Sequence, residues 1–149
     1  MVKHSSRNLS GVALDWAVAR AEKMQVFVDD EKLGKVVREM GVDGEPVFRP
    51  RQDWAFVGGI IVRERIVLIP TKTGWFTSMF NVEDEHGLAR PVDIQGDDPL
   101  TAVLRCLVFS KLGDVVEIPV ELAAVENGAF WYSELPRIGS QAATNLAAS

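Results

Sequence analysis

Apolar residues recur at helical spacing in three places along this chain. After Leu9-Ser10, residues Leu14, Ala17, Val18, Ala21 and Met24 fall on one face. Ser10 is a good N-cap residue, and Leu9 and Leu14 stand at the two positions of a hydrophobic staple, so a helix over Ser10–Met24 is predicted. Trp16 points away from that face, among Val12, Ala19 and Lys23. It either covers a second neighbour or sits on the surface. Leu33, Val36, Val37 and Met40 repeat the helical spacing up to Gly41. The adjacent valines also suit a strand running to the Asp43-Gly44 turn, and the helical reading is the preferred one. The third and clearest pattern is Asp98–Leu112. Asp98 is the N-cap, Pro99 fits the first helical position, and Gly113 supplies the stop. Leu100, Val103, Leu104 and Leu107 form one stripe of this helix; Ala102, Cys106 and Phe109 form another, roughly opposite. Such a helix is expected to be buried on two sides, under the first helix and over a sheet.

Shorter β-prone runs lie between. Gln25–Val28, Val47–Phe48, Ile66–Ile69, Trp75–Val82 and Val115–Ile118 read as strands, with Pro119 ending the last or placing it at an edge. Pro70–Gly74 is a turn that makes Ile66–Ile69 and Trp75–Val82 an antiparallel pair. Trp75, Thr77, Met79 and Asn81 take one face of the longer strand; Phe76, Ser78, Phe80 and Val82 take the other. Arg49–Trp54 is expected to be a loop, and Ala55–Arg65, broken by Gly58-Gly59, a short helical turn or irregular segment. Met1–Asn8 and the polar Glu83–Asp98 stretch are expected to be loose and solvated. The predicted architecture is α+β: two principal helices packed on a small, mostly antiparallel sheet, in a single domain over residues 9–122. Residues 123–149 read as a partly disordered tail, rich in Ala, Ser, Asn and Gly. Within it Phe130-Trp131-Tyr132 either docks on the domain, the preferred reading, or serves as a short recognition segment.

Composition narrows the function. The 149 residues are 47% hydrophobic and 25% charged, which suits a globular domain with a real core. A net charge of −5 gives no global basic field for a nucleic-acid backbone, so nucleic acid is a disfavoured partner; a local patch of Arg49, Arg51, Arg63 and Arg65 is the exception to weigh. One cysteine cannot form an internal disulfide, which fits a reducing compartment. With no apolar run near ~18 residues, a cytoplasmic location is expected and no membrane association.

Chemistry is sparse. Two isolated histidines and one cysteine give no metal-ligand spacing. Glu83-Asp84-Glu85-His86 reads as a solvated acidic turn rather than a cation site. No G-x-G-x-x-G, P-loop or G-x-S-x-G is present, so no cofactor is expected, and Cys106 inside an apolar helix reads as a core residue. The candidate binding residues are Asp15, Trp16, Arg49, Arg51, Asp53, Trp54 and Arg65. Guanidinium forks bind anions and indoles supply flat apolar area, the residue types of recognition surfaces. If the Trp54 loop folds over the outer face of the first helix, it covers Trp16 and pairs an aspartate with an arginine as a structural clasp. Left open, the same residues form a pocket. A catalytic role for the aspartates is disfavoured, because no nucleophile accompanies them.

Several runs together resemble a known family. They are Leu9-Ser10-Gly11-x-Ala13-Leu14-Asp15-Trp16-Ala17-Val18-Ala19; Pro50-x-x-Asp53-Trp54 with Gly58-Gly59-Ile60-Ile61; Pro99-Leu100; and Arg105-Cys106 with Ser110-Lys111-Leu112-Gly113-Asp114-x-Val116-Glu117-Ile118-Pro119. In order and spacing, across roughly Leu9 to Leu122, the chain resembles the small phage and prophage family that includes the NinX proteins. The Ser110–Pro119 run is the most specific part. Members usually carry Pro-Ser-Thr-Asp-Trp where this chain has Arg51 and Gln52 in place of Ser and Thr. The resemblance implies a phage-derived accessory protein, and it brings no activity, so the expected function is non-enzymatic binding of another protein, of bacterial or phage origin. The alternative is a small-ligand-binding protein or small enzyme using the Asp/Arg/Trp cluster. The second stripe of the Asp98–Leu112 helix also offers a face to a twin chain.

Overall fold

The computed structural model describes residues 1–83, 86–87 and 89–123, without the side chains of 81–83 and 89–91. The expected tail beyond Ala123, with Phe130-Trp131-Tyr132, lies outside the described residues. Two compact units are distinguished: Lys3–Glu117, and Met1–Val2 with the residues from Ile118 onward. In the second, the N–H groups of Leu122 and Ala123 both donate to the Pro119 carbonyl, closing a helical turn.

The helices of the Lys3–Glu117 unit are α1 (Gly11–Ala21), α2 (Trp54–Glu64) and α3 (Pro99–Leu112), and a further helical turn covers residues 120–123. The strands are β1 (Val2–Ser5), β2 (Val26–Glu31), β3 (Gly34–Glu39), β4 (Val67–Pro70), β5 (Trp75–Glu83), β6 (Ala89–Gly96) and β7 (Val115–Ile118). They form a β4-β5-β6 antiparallel sheet, a β2-β3 hairpin and a β1-β7 pair. This is the α+β mix the pattern predicts, with the strands divided among three small sheets rather than gathered in one.

Helix α3 is the centre of the Lys3–Glu117 unit. Asp98 caps it by accepting from the Thr101 N–H at 2.9 Å and the Thr101 hydroxyl at 2.8 Å, and Gly113 ends it at φ 93°. Leu100, Ala102, Val103, Leu104, Cys106, Leu107 and Val108 are all buried. The helix packs on α1 and α2 and on the β5-β6 face of the sheet, so both apolar stripes are covered within the chain. Burial pushes the Cys106 thiol up to about 11, as a core residue requires.

The sheet meets α3 at a point of backbone contact. A Cβ on Gly96 would lie 2.6 Å from the Ala102 nitrogen and 2.9 Å from its Cα. Beside it the Thr77 hydroxyl, fully buried, reaches the Ile94 carbonyl at 3.0 Å and the Ala102 carbonyl at 3.3 Å. Arg105 then bridges from α3, donating to the Leu9 carbonyl at 2.6 Å and the Gln95 carbonyl at 2.9 Å. The C-terminal turns of the three helices are joined by charge. Arg63 binds Glu22 bidentately at 2.8 and 2.9 Å and Glu64 at 2.7 Å, and Lys111 lies 3.4 Å from Glu64. Burial pushes the Glu64 carboxyl up, but these two cations outweigh it and hold it below its ordinary value.

Six expectations need correction. The helix read over Glu31–Met40 is the β2-β3 hairpin, in register from Val26↔Glu39 to Glu31↔Gly34 around a Lys32-Leu33 turn. Gly34 at φ 126° takes a conformation closed to other residues, and Val36 and Val37 are both buried in extended backbone. Glu83–Asp98 is not a loop: β6 runs through it, burying Val92 and Ile94 between polar neighbours. Met1–Asn8 is ordered as β1 and a 3-10 turn, with the Ser6 hydroxyl donating to the Gly113 carbonyl and its N–H to the Asp114 carbonyl at 2.9 Å. Val47 makes only an isolated bridge to Arg38, and β7 pairs with β1 rather than joining the main sheet.

The sixth is α2. Gly58-Gly59 does not break it. Asp53 caps it through the Phe56 N–H at 3.1 Å, Arg65 ends it in the left-handed region at φ 56°, and Val57, Ile60 and Glu64 are buried. Phe48 meets Phe56 edge-on at 5.4 Å, tying the helix start to the preceding segment. Each glycine costs about 1 kcal/mol of helix propensity, which the cap and the buried face offset.

The two glycine environments predict opposite outcomes in urea denaturation. Gly96→Ala overpacks the sheet-helix contact and lowers stability by about 2–3 kcal/mol. Gly59→Ala, where a new Cβ meets nothing within 4 Å, raises it by about 0.5–1 kcal/mol.

Candidate binding site

Asp15 lies on the second turn of α1 and is only 2% exposed. Its partner arrives from the segment before α2. Pro50, itself buried, opens a 3-10 turn over Pro50–Gln52 in which the Gln52 and Asp53 N–H groups donate back to Arg49 and Pro50. This turn presents Arg51, whose Nε and Nη2 reach the two Asp15 oxygens at 2.9 and 3.0 Å. The fork-on-carboxylate geometry is the strong form of an ion pair.

Burial dominates Asp15 and pushes its carboxyl up to about 6, against the lowering effect of Arg51 and the weaker one of Arg49. The folded value lies above the ordinary 3.8, so the native state prefers the protonated acid. That contribution to stability is fully present below about pH 4 and is lost as pH rises through 6.

The other five candidates do not converge on one point. Arg49 is exposed beside the ion pair. Asp53 is occupied as the α2 cap. Trp16 is 7% exposed and lies under the Arg20 guanidinium, 5.3 Å from the ring centroid. Trp54 does not cover it: at the first position of α2 it is 57% exposed. Arg65 is at the opposite end of that helix, about 16 Å along the axis.

What gathers around Arg49 and Arg51 is instead the β2-β3 hairpin. A groove of about 970 Å³ is lined by both arginines, Gln52 and Val12 on one side and by Asp29–Val36 and Arg38 on the other. The hairpin residues went unnoticed because their segment read as a helix. Their acids are already engaged: Arg38 binds Asp29 at 2.8 Å and also Glu31, and Lys35 binds Asp30. Among the described residues Lys32 and Arg49 are the groove cations whose side chains make no ion pair or hydrogen bond. The three acids outnumber Arg38 and Lys35 by one, and Asp15 answers Arg51, so Lys32 and Arg49 leave the groove with a net surplus of one positive charge. Its lining includes no serine, threonine, cysteine, tyrosine or histidine, and no group of three metal-binding side chains occurs among the described residues. Asp84 and Glu85 of the acidic turn lie outside them. No described helix is long and apolar enough to cross a membrane.

Two pH-dependent outcomes follow from the buried pair. Asp15→Asn removes the titration, so its stability relative to wild type improves by up to about 3 kcal/mol between pH 4 and 7. Arg51→Ala leaves the carboxylate without its counter-ion and costs about 3–4 kcal/mol at pH 8, but much less at pH 5, where Asp15 is mostly neutral. Chemical denaturation of both variants across pH 4–8 measures this.

None of the curated proteins matches the chain. The family model described as Bacteriophage P22, NinX matches residues 5–111, from the end of β1 nearly to the end of α3. It includes all seven candidate residues and stops short of Leu112–Pro119, the later part of the run on which the resemblance leaned most. With most of its length inside that match, the chain belongs to the NinX family of phage proteins.

Proposed function

We propose that the chain is a non-enzymatic phage accessory protein that acts in the cytoplasm by binding another protein, and that the partner lays an acidic segment in the groove beside Arg49. The supporting observation is that the side chains of Lys32 and Arg49 have no ion pair of their own among the described residues and line a groove whose acids Asp29, Asp30 and Glu31 are each held by Arg38 or Lys35. Arginine beside an open groove is a frequent anchor of protein interfaces. Complementary charge sets the rate and register of such encounters more than their final affinity. Mobilising Arg51 would expose the buried Asp15, so Arg51 holds the groove wall while Arg49 is available to a partner.

A second reading is favoured by the volume of the groove, which is on the scale of small-molecule sites. In that reading a small anion, not a polypeptide, contacts Arg49.

Calorimetry with a hexaglutamate peptide and with inorganic phosphate separates the two. Binding of the peptide, weakened about tenfold by combined Lys32→Ala and Arg49→Ala and further by salt, supports the protein partner. Phosphate binding with the same residue dependence and no response to peptide supports the small anion. No binding of either, together with no protein retained from phage-carrying lysate by wild type over the double variant, overturns the groove as the site.

A further inference from the structure

Trp16, Arg20 and Lys23 follow one another at helical spacing, so the indole and both cations fall on one side of α1 and its C-terminal end. The fold brings a second wall to that side. The Lys23 and Met24 N–H groups donate back to the Arg20 and Ala19 carbonyls at 3.1 and 2.9 Å, which turns the chain out of the helix. The Met40 N–H donates to the Gln25 carbonyl at 2.8 Å, which closes the base of the β2-β3 hairpin. Between these segments lies a recess of about 470 Å³.

Its lining divides by chemistry. Trp16, Met24, Val26 and Met40 are apolar, and Met40 is 47% exposed. Every ionisable side chain in it is cationic. Glu22, the acid next to Lys23 in the chain, is bound bidentately by Arg63. Arg20 lies over the Trp16 ring, and its side chain makes no ion pair or hydrogen bond among the described residues. An arginine held over an aromatic face keeps its fork of N–H donors for an oxyanion. The Lys23 side chain is likewise unpaired among the described residues, and its backbone is left-handed at φ 59°, the conformation a helix-ending glycine adopts without strain. Glycine would therefore end this helix better, and the fold alone gives no reason for a lysine.

We propose that this recess binds a small organic anion, one carboxylate or phosphate group on an apolar body. The Arg20 fork and the Lys23 ammonium hold the oxyanion, and the body lies against Met24, Val26 and Met40. The volume is on the scale of small-molecule sites. A bare inorganic anion leaves the apolar wall wet, and a neutral apolar molecule leaves both cations unanswered. Unbranched methionine side chains adapt to bodies of different outline. Charge combined with an apolar surface thus sets the ligand class. The recess shares no residue with the groove beside Arg49 and does not depend on the reading given to that groove.

The probes are phenyl phosphate, inorganic phosphate and benzyl alcohol, each followed by NMR titration of the isotope-labelled full chain. Phenyl phosphate is expected to shift the amides of residues 20–26 and of Met40. It binds at least about tenfold more tightly than either control, because only it meets both halves of the lining. Arg20→Gln and Lys23→Gly each weaken it at least about tenfold. Lys23→Gly leaves the thermal midpoint no lower than that of wild type, since it relieves the left-handed backbone, so its loss of binding is not a loss of fold. Absence of those shifts at about 10 mM phenyl phosphate, or shifts confined to the groove beside Arg49, overturns the site. Binding indifferent to either variant does the same. Equal affinity for phenyl phosphate and one of the controls overturns the ligand class.

Discussion

Gly96 and Ala102 touch backbone to backbone, and much of the Lys3–Glu117 unit is arranged around that contact. It sets the height of the three-stranded sheet above α3, which in turn decides that Thr77 can reach a helix carbonyl and Met79 and Ile94 can bury completely. With the sheet on one side of α3, α1 and α2 take the rest of its surface. Arg105 fastens this order by reaching both the entry to α1 and the end of β6 from a single guanidinium. Replacing water around those carbonyls by a charged donor is worth more than a neutral hydrogen bond would be.

Two buried carboxylates lie outside this apolar centre and are treated differently. Glu64 is met by Arg63 and Lys111 and is held ionised. Asp15 has one bidentate partner and a more enclosed setting, and its acid form gains. The contrast is one of count and burial: two cations overcome desolvation where one and a distant second do not. The Asp15–Arg51 pair still performs a positional task, since it pins the Pro50–Gln52 turn to α1 and so fixes where α2 begins.

Local chemistry made part of this legible. Asp98, Pro99 and Gly113 mark α3 unambiguously, because caps act within one turn of chain and do not depend on tertiary partners. Val36-Val37 could not be decided from periodicity, since two adjacent apolar residues fit a helix face and a doubly buried strand equally well. In β6 only Val92 and Ile94 alternate with Asp93 and Gln95, a pattern too short to stand out in a stretch whose overall polarity reads as a loop. In α2 the glycine pair reads as a break, whereas the Asp53 cap and the buried face of Val57, Ile60 and Glu64 hold the helix together. At the candidate site, Asp15 and Arg51 were named together, but nothing local says which arginine crosses 36 residues to meet it. Arg65 was grouped with Trp54 because the helix that separates them was read as irregular, and the hairpin wall of the groove was lost with the misread hairpin.

The strands β1 and β7 pair across almost the whole described chain, and Ser6 bonds to Gly113 and Asp114. A ribosome delivers residues from the N-terminus, so β1 is made more than a hundred residues before β7 and must wait for it. Until then it is an unpaired strand edge on a nascent chain, the kind of surface that other chains can capture. Contacts of such long sequence separation also slow folding, because the loop must close before they can form. Completion of this fold is therefore coupled to late synthesis, and a nascent chain stalled before residue 115 carries β1 without its partner.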